Sequence, residues 1–437
     1  MALVGIDIGS SSVKAGLLRG TNVVGSVARR GFPTQYDGVR AEVKPDDILD
    51  AIAKAIGDLG PRANRADLIA LSVMSPAWVA MDARGKPLTP IITHQDRRSV
   101  EIAHQVERAV GKARHLRLAG NRPFPGGISS TTYAWYARHE RARMRRADLV
   151  GHLNTFVHRQ LTGARVIDPS NASFTGLYET TNLRGWSGEL CEAAGVSSKV
   201  LPEVRDANHV AGLVNRAGAR RFGLAAGTPV LVGLIDTSSA MLLAGTRRGQ
   251  LMNTCGSTDV LAVCTDRPPR PHERLLTRAL GVGRWWMSVG TIAASGSALT
   301  WCRKTFFADC TDAQFWKRVA AVARRGDDGP GSEVEFEPYL AGERTNMEQR
   351  RGTIRALTLA TSRDDVLRAL VNALAQASAD RLPLLRSRVA PLRRDVVLSG
   401  GVSDGLDKVL HRDWPGRWRF RVEEEATLRG LGMLMPA

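Results

Sequence analysis

The hydrophobic pattern at the start of the chain predicts three strands in succession. Residues 3–9 form an apolar run that contains one carboxylate, Asp7, and residues 13–18 and 23–29 alternate apolar with polar side chains. The connection after the first run consists of small residues only, Gly9, Ser10, Ser11 and Ser12. The pattern therefore favours an antiparallel meander in which a loop with open backbone amides joins strand to strand.

Later segments show the periods of both helices and strands. Residues 45–59 read as an amphipathic helix, and residues 68–73 predict the next strand. Residues 396–403 predict a strand that enters a glycine turn, and residues 424–434 predict a closing helix. Residues 362–382 carry apolar side chains at helical spacing, so this long helix is expected to pack against a sheet.

A buried strand and a carboxylate meet in the middle of the chain. Residues 230–235 form an apolar run, and Asp236 follows at once, ahead of the small, helix-prone segment 237–244. The side chain of Asp236 is expected to emerge at the end of an element, where catalytic groups tend to lie. Because Asp is also a favoured helix N-cap, a purely structural role is the alternative.

A second apolar strand follows a turn at residues 245–249 and carries Gly256, Ser257 and Thr258. A glycine with hydroxyl neighbours can turn its backbone N–H groups toward an anion. Gly-Ser-Thr runs also mark ordinary turns, which is the alternative here. This loop is expected to lie close to Asp236.

Asp7 is the first candidate for a metal ligand. A carboxylate within an apolar strand is costly without a partner. Mg²⁺ is commonly bound by one or two carboxylates together with nucleotide oxygens, so Asp7 is predicted to hold Mg²⁺ while the loop after it receives phosphates. Neither GxxxxGK[ST] nor GxGxxG is present here, which excludes a Walker loop and a dinucleotide-binding fingerprint at this position.

Size and composition limit the classes of protein to which the chain can belong. The chain has 437 residues, 43% of them hydrophobic, which favours two or more domains. No apolar run approaches the roughly 18 to 20 residues needed to span a bilayer, and the N-terminus lacks a signal segment, so a cytoplasmic protein without a membrane partner is expected. The five cysteines show no CxxC pairing and are expected to be reduced thiols.

The net charge of +18 raises nucleic acid as a partner. The basic residues, however, are scattered in short clusters, without interleaved aromatic residues and without a zinc-finger or RNA-binding signature. Compositional bias is the favoured explanation, and no nucleic-acid partner is expected. A homodimer is left open.

Several segments resemble the FGGY family of carbohydrate kinases, which belongs to the actin-like, ribonuclease-H-fold ATPases. The segment GIDIGSSSVKAGLL is similar to the first phosphate motif of that superfamily, and Gly256-Ser257-Thr258 is similar to the second. Residues 127–135 and 338–344 resemble further family elements. The resemblance implies an α/β fold of two actin-like (ribonuclease-H-like) domains, residues 1–245 and 246–437, with a cleft for ATP and sugar between them.

The same resemblance implies roles for individual residues. Asp236 matches the catalytic base and would also contact the sugar, and Asp7 would hold the Mg²⁺ that accompanies ATP. The residues implied to bind the nucleotide are Asp7, Gly9, Ser10, Ser11, Ser12, Lys14, Gly256, Ser257, Thr258, Gly400 and Gly401. The last two lie where the family places adenosine, because glycine lets the backbone approach a flat base.

Met74, Ser75 and Trp78 occupy the place where the family carries a sugar-contacting loop. Met74-Ser75-Pro76 stands here where xylulokinase-like sequences have Met-His-Gly. The expected activity is transfer of the γ-phosphate of ATP to a hydroxyl of a small-molecule sugar or polyol, with a ketopentose such as xylulose as the first candidate. The alternatives are rhamnulose, ribulose, glycerol, gluconate or an autoinducer-type polyol as substrate, and a non-catalytic sugar or nucleotide sensor of the same fold.

Overall fold

The computed structural model describes residues 1–325, 333–343, 345, 347, 350–400 and 405–436. The chain divides into two compact units. The first unit comprises Met1–Arg247, Cys264–Met287 and Glu425–Ala437, and the second comprises Arg248–Val263 and Ser288–Glu424. The two-segment division into residues 1–245 and 246–437 stays a prediction.

The strands of the described residues are numbered here in chain order. They are β1 (Leu3–Ile8), β2 (Ser12–Arg19), β3 (Asn22–Gly31), β4 (Gln35–Asp37), β5 (Arg40–Val43), β6 (Leu68–Val73), β7 (Ala77–Met81), β8 (Ile91–Thr93), β9 (Leu149–His152), β10 (Val166–Ile167), β11 (Glu203–Val204), β12 (Val210–Leu213), β13 (Pro229–Leu231), β14 (Leu234–Ile235), β15 (Leu251–Cys255), β16 (Asp259–Thr265), β17 (Leu276–Ala279), β18 (Trp286–Ile292), β19 (Glu335–Glu337), β20 (Thr353–Arg355), β21 (Asp395–Gly400) and β22 (Arg419–Val422).

The α-helices of the same residues are numbered in the same way. They are α1 (Pro45–Gly57), α2 (Val100–Val110), α3 (Lys112–Ala119), α4 (Ser129–His139), α5 (Arg141–Met144), α6 (Leu153–Leu161), α7 (Pro169–Ala172), α8 (Gly188–Ala193), α9 (Arg216–Phe222), α10 (Asp236–Ala244), α11 (Gly296–Phe306), α12 (Asp312–Arg325), α13 (Arg363–Ala379), α14 (Arg381–Arg386), α15 (Leu406–His411) and α16 (Ala426–Gly430). None of them is both long and apolar enough to cross a lipid bilayer.

The first unit is built on a seven-stranded sheet in the order β12-β13-β6-β1-β2-β3, with β14 also paired to β6. β1 is antiparallel to β2 and parallel to β6, so the predicted meander β1-β2-β3 forms one half of the sheet. A second sheet in this unit has the order β4-β5-β8-β7-β9. The carboxyl ends of the parallel strands β1, β6 and β14 therefore meet at one edge of the larger sheet.

Helix α1 illustrates how the sequence determines local structure in this unit. Pro45 occupies the first turn, where its missing N–H costs nothing, and two acidic residues follow it at the positive end of the helix dipole. Ile48, Ile52 and Ile56 recur at helical spacing and are buried in the core beneath the sheet. The predicted helix 45–59 is thus observed with its end at Gly57.

The second unit contains a mixed sheet in the order β18-β16-β15-β21-β22. β15 is antiparallel to β16 and parallel to β21. The predicted helix over 362–382 is observed as α13, which Ser362 caps in a reciprocal box with Asp365, and α14 follows it. Leu367, Leu370 and Leu374 of α13 are buried in the core of this unit.

Candidate active site

Asp7 lies near the carboxyl end of β1 and is 4% exposed. It pairs in register with Lys14 on the antiparallel neighbour β2 and with Ser72 on the parallel neighbour β6. Residues that lie opposite each other on paired strands project from the same face of a sheet. One face therefore presents a carboxylate, an ammonium and a hydroxyl side by side.

The carboxylate of Asp7 has one satisfied and one unsatisfied oxygen. Thr427 Oγ1 donates a 2.6 Å hydrogen bond to Oδ2, whereas Oδ1 is buried without a hydrogen-bond partner among the described residues. Burial raises the pKa of Asp7, against the opposing charge of Lys14 and the hydrogen bond from Thr427. The negative charge of Asp236 adds to the rise. A buried carboxylate oxygen without a donor is the kind of ligand that a hard cation takes.

In the loop after β1, the carbonyl groups of Ser11 and Ser12 accept backbone hydrogen bonds. Gly9 N donates to Ser12 O at 3.0 Å, and Phe32 N donates to Ser11 O at 3.1 Å. Ser10 and Ser11 are exposed. The predicted connection from strand to strand is therefore observed, with two serines at its tip.

Lys14 does not stand free beside this loop. Its ammonium forms a 2.7 Å ion pair with Glu425, which Arg29 also contacts at 2.9 Å. Glu425 has a left-handed backbone, with φ of 48°, and immediately precedes α16. The start of α16 thus holds both Lys14, through Glu425, and Asp7, through Thr427.

Asp236 is the first residue of α10 and is half-buried, and the N-cap position belongs to Ile235. β14 pairs with β6 in the register Leu234 to Ser72, which brings Asp236 to the same sheet edge as Asp7. Thr237 donates to Asp236 Oδ1 twice, from its backbone N at 2.5 Å and from Oγ1 at 2.9 Å. These bonds fix the orientation of the carboxylate.

In the second unit, the loop between β15 and β16 is closed by a 3.0 Å hydrogen bond from Gly256 N to Thr258 O. Its other two carbonyls are held by the beginning of α11. Gly256 O accepts from Gly296 N at 3.0 Å. Ser257 O accepts from Ser295 N at 2.9 Å and from Ser297, through N at 3.2 Å and Oγ at 2.8 Å.

These hydrogen bonds determine where the N–H groups of the loop point. In a trans peptide, the N–H is directed opposite to the preceding C=O. Because the carbonyls of Gly256 and Ser257 face α11, the N–H groups of Ser257 and Thr258 are directed away from it. Consecutive N–H groups on one side of a loop form a site suited to an anion such as a phosphate.

A buried polar network supports the two strands that carry this loop. Asn253 Nδ2 donates to Asp259 Oδ1 at 2.6 Å, which ties β15 to β16 across the loop. Asp259 is fully buried and pairs with Arg381 at 2.5 Å. His411 contacts Asn253 Oδ1 at 2.7 Å, and burial lowers the pKa of its imidazole to about 4. Charge-assisted bonds at the adjoining strands β15 and β16 therefore hold the loop between them in place.

Gly400 ends β21 in register with Cys255 of β15. Its φ is 95°, and a Cβ at this position would lie 2.2 Å from the carbonyl oxygen of Cys255. The position therefore requires glycine on both counts. The neighbouring candidate, Gly401, lies outside the described residues.

The three predicted sugar contacts lie in or just before β7. Met74 N donates to Ile8 O at 2.7 Å, next to Asp7, and its side chain is buried. Ser75 is half-buried. Trp78 is 3% exposed and packs in a hydrophobic cluster, with its ring 5.2 Å from that of Tyr136. Of the three, only Ser75 presents a partly open polar group.

The predicted site residues thus form two sets. The first unit holds Asp7, Gly9, Ser10, Ser11, Ser12, Lys14, Met74, Ser75, Trp78 and Asp236, and the second holds Gly256, Ser257, Thr258 and Gly400. Within the described ranges, no three His, Cys, Asp or Glu side chains cluster as they would around a metal ion held by protein alone. Mg²⁺ does not need such a cluster, because it is usually bound by one or two carboxylates with phosphate oxygens and water.

The sequence does not predict a functional role for Thr427, Glu425 or the beginning of α11. For the segment that contains Thr427, the sequence predicts only a closing helix over residues 424–434, although polar side chains stand among its apolar ones. The contacts of Glu425 with Lys14 and of Thr427 with Asp7 join residues 411 and 420 positions apart. The contact of Ser297 in α11 with Ser257 joins residues 40 positions apart. No local pattern encodes such pairs.

Comparison with known proteins identifies the class. Residues 2–243 match the N-terminal domain of the FGGY family of carbohydrate kinases, and residues 251–406 match its C-terminal domain. The gluconokinase of Bacillus subtilis (strain 168) is 26% identical over 84% of this chain and 73% of its own length, and the xylulose kinase of Streptomyces rubiginosus is 26% identical over 92% and 80%. The crystal structure of xylulose kinase from Rhodospirillum rubrum superposes with a TM-score of 0.85 and 25% identity, over 99% of this chain and 88% of that one.

The chain therefore belongs to the FGGY family of carbohydrate kinases. It is a sugar kinase, a phosphotransferase for which the family implies ATP as the substrate that donates the phosphoryl group. The predicted α/β class with the two-domain actin-like fold is confirmed by the structural similarity.

Proposed function

We propose that this chain transfers the γ-phosphate of ATP to a hydroxyl of a ketopentose such as xylulose, with Asp236 as the general base and Asp7 as the ligand of Mg²⁺. One observation carries most of the proposal. Asp236 and Asp7 reach the same edge of one sheet from the parallel strands β14 and β1, close enough for the charge of Asp236 to raise the pKa of Asp7.

Asp236 has the geometry that a general base needs. Its described hydrogen bonds, both from Thr237, end at Oδ1, so Oδ2 is the oxygen assigned to the substrate hydroxyl. As the substrate oxygen bonds to the γ-phosphorus, its proton passes to Asp236 and the bond from that phosphorus to the leaving oxygen of ADP breaks.

The buried carboxylate of Asp7 is suited to bind the Mg²⁺ that accompanies ATP in kinases. Asp7 would hold the ion, which would supply positive charge against the negative charge that develops on the transferred phosphate. Oδ1, which has no described partner, is the oxygen assigned to the ion or to its bound water. Thr427 holds the other oxygen and so sets the plane of the carboxylate.

In the second unit, phosphate oxygens of ATP are assigned to the backbone N–H groups of Ser257 and Thr258, which are directed away from α11. In the first unit, the loop from Gly9 to Ser12 is the corresponding candidate, and because the N–H of Gly9 donates to Ser12 O, the amides assigned to phosphate are those that follow it. Gly400, with its positive φ, is assigned to the adenosine side together with Gly401. Preorganised backbone donors of this kind bind phosphate without a side-chain entropy cost.

Xylulose is proposed because xylulose kinases recur among the most similar sequence relatives more often than gluconokinases or glycerol kinases do, and the Rhodospirillum rubrum structure is also that of a xylulose kinase. Gluconate is the competing substrate, because a gluconokinase matches at the same identity. The test is ADP release by the purified chain with ATP, Mg²⁺ and, in separate reactions, D-xylulose, D-gluconate or glycerol. Faster turnover with D-xylulose supports the proposal, faster turnover with another of the three replaces the sugar, and ADP release that no sugar stimulates contradicts it.

A further inference from the structure

His152 joins two serine hydroxyls in the first unit. It ends β9, in register with Trp78 of β7, and its ring is fully buried. Nδ1 lies 3.3 Å from Ser75 Oγ, and Nε2 lies 2.8 Å from Ser129 Oγ. The result is a chain of three hydrogen-bonding groups that runs from the first residue of α4 to the half-buried hydroxyl of Ser75.

A neutral imidazole lets the hydrogen bonds from Ser129 through His152 to Ser75 run in either direction. Burial lowers the pKa of His152 to about 4 against the opposing effect of the Asn171 side chain, so at neutral pH the ring has one N–H and one lone pair. When Nε2 donates to Ser129, Nδ1 accepts the proton of Ser75, and in the other tautomer both bonds reverse. The oxygen of Ser75 therefore keeps one position in both tautomers, and the hydroxyl can offer either a lone pair or a proton to a ligand.

Ser75 lies close in the fold to the two proposed active-site carboxylates, Asp7 and Asp236. Ser75 is three residues after Ser72, which pairs in register with Asp7, and the backbone between them is tied to β1 by the bond from Met74 N to Ile8 O. Ser75 thus follows the same strand end at which Asp7 and Asp236 meet.

We propose that His152 is a positioning residue which, by fixing the Ser75 hydroxyl as a contact for a hydroxyl or carbonyl group of the sugar, sets the sugar selectivity of the enzyme. This inference rests on the proposed function. Its ligand group is a neutral oxygen, because a serine hydroxyl backed by an uncharged imidazole provides no counter-charge for a carboxylate.

Two amide replacements separate the two bonds of His152. The side-chain amide of Asn reaches the position of Nδ1, so His152→Asn can keep the bond to Ser75 and lose the bond to Ser129. The longer His152→Gln reaches the position of Nε2 and does the reverse. Both carry the same buried amide group, which can donate or accept as each partner requires.

The experiment measures the KM and kcat of both variants with D-xylulose, D-gluconate and glycerol, together with their KM for ATP and their thermal unfolding midpoints. His152→Gln is expected to have a KM for the preferred sugar about two- to tenfold above that of His152→Asn, as the loss of one hydrogen bond implies. The KM for ATP is expected to be equal in the two variants.

A cycle with Ser75→Ala locates the effect. Once the hydroxyl of Ser75 is absent, His152→Gln and His152→Asn are expected to give the same KM for the sugar, because neither variant can then bond to residue 75. Equal sugar KM values in the presence of Ser75, with only the unfolding midpoints shifted, would show that His152 is a packing residue and overturn the inference alone. If the parent enzyme phosphorylates none of the three sugars, the proposed function fails and the inference fails with it.

Discussion

Thr427 and Asp7 are 420 residues apart in sequence, yet Thr427 Oγ1 donates a 2.6 Å hydrogen bond to Asp7 Oδ2. The contact places a residue near the C-terminus beside the first strand of the chain. α16 packs against α10, β1 and β2, and Gly430 allows this close approach, because a Cβ there would lie 1.9 Å from Ser239 O. The last helix is thus part of the framework around the proposed magnesium ligand.

Removal of this hydroxyl should weaken the site without breaking the fold. Thr427→Val keeps the shape but leaves Asp7 Oδ2 without its donor, and a lost bond to a buried charged acceptor costs about 1–3 kcal/mol. We expect a higher Mg²⁺ concentration for half-maximal ADP release and a lower unfolding temperature. Thr427→Ser, which retains the hydroxyl, is the control and should lie closer to the parent in both measurements. Equal Mg²⁺ requirements in the Val and Ser variants would mean that Thr427 does not position Asp7.

The position of the second phosphate loop should depend on Gly296. A Cβ at Gly296 would lie 2.8 Å from the carbonyl oxygen of Gly256, so Gly296→Ala must displace the loop or the start of α11. We expect the KM for ATP to rise several-fold while the KM for the sugar changes little. Gly188→Ala is the matched control, because Gly188 is also the first residue of a helix and has open space around it. If both variants showed the same KM for ATP, the hydrogen bonds from α11 would have no role in nucleotide binding.

Stability should fall as the solution is acidified below about pH 6.5. Burial lowers the pKa of His152, His158 and His411 from 6.5 to about 4, so in this range the unfolded chain takes up protons that the folded chain does not. Stability then rises with pH by up to about 1.4 kcal/mol per pH unit for each histidine. Burial raises the pKa of Asp168 to about 6 and also raises the pKa of Asp7, and these two carboxyl groups act in the opposite sense above pH 3.8. Burial lowers the pKa of His115 as well, so the histidines outnumber them.

The measurement is the unfolding midpoint as a function of pH. His158→Gln can still donate to Val232 O, the partner of Nε2 at 2.8 Å, but has no titrating group. Its midpoint should therefore depend less steeply on pH between 6.5 and 4 than that of the parent. A midpoint that stays constant from pH 6.5 to 4.5 in the parent would contradict the assignment of these histidines as buried and neutral.

The sequence allowed much of this structure to be predicted, because the strongest signals were local. The run that contains Asp7 predicted β1, the small residues after it predicted the loop, and the strand before Asp236 predicted its place at an element end. The alternative that Asp236 is the N-cap is wrong, because Ile235 holds the cap position and Asp236 is the first residue of α10. The motifs also led to the FGGY family, which the domain matches confirm.

Other features depend on contacts that no local pattern reveals. The ring of Trp78 is buried in a hydrophobic cluster, although its sequence position resembles a sugar-contacting loop. His152 becomes relevant only through the pairing of β9 with β7, which brings it to the loop that carries Ser75. Thr427 becomes relevant only because α16 returns to the first unit. The roles of the individual site residues therefore remain predictions that require the variants described above.

The proton-accepting role of Asp236 is the central claim, and Asp236→Asn tests it most directly. The amide keeps the shape and can keep a bond from Thr237, but it cannot take a proton from the sugar. Asp312→Asn serves as the control, because Asp312 is likewise the first residue of a helix but is exposed at the surface. The measurement is kcat for ADP release with the preferred sugar, with ATP binding checked by calorimetry. A kcat about 10²- to 10⁴-fold below that of the parent, with ATP binding retained, is predicted; a kcat within a few-fold of the parent would contradict the account.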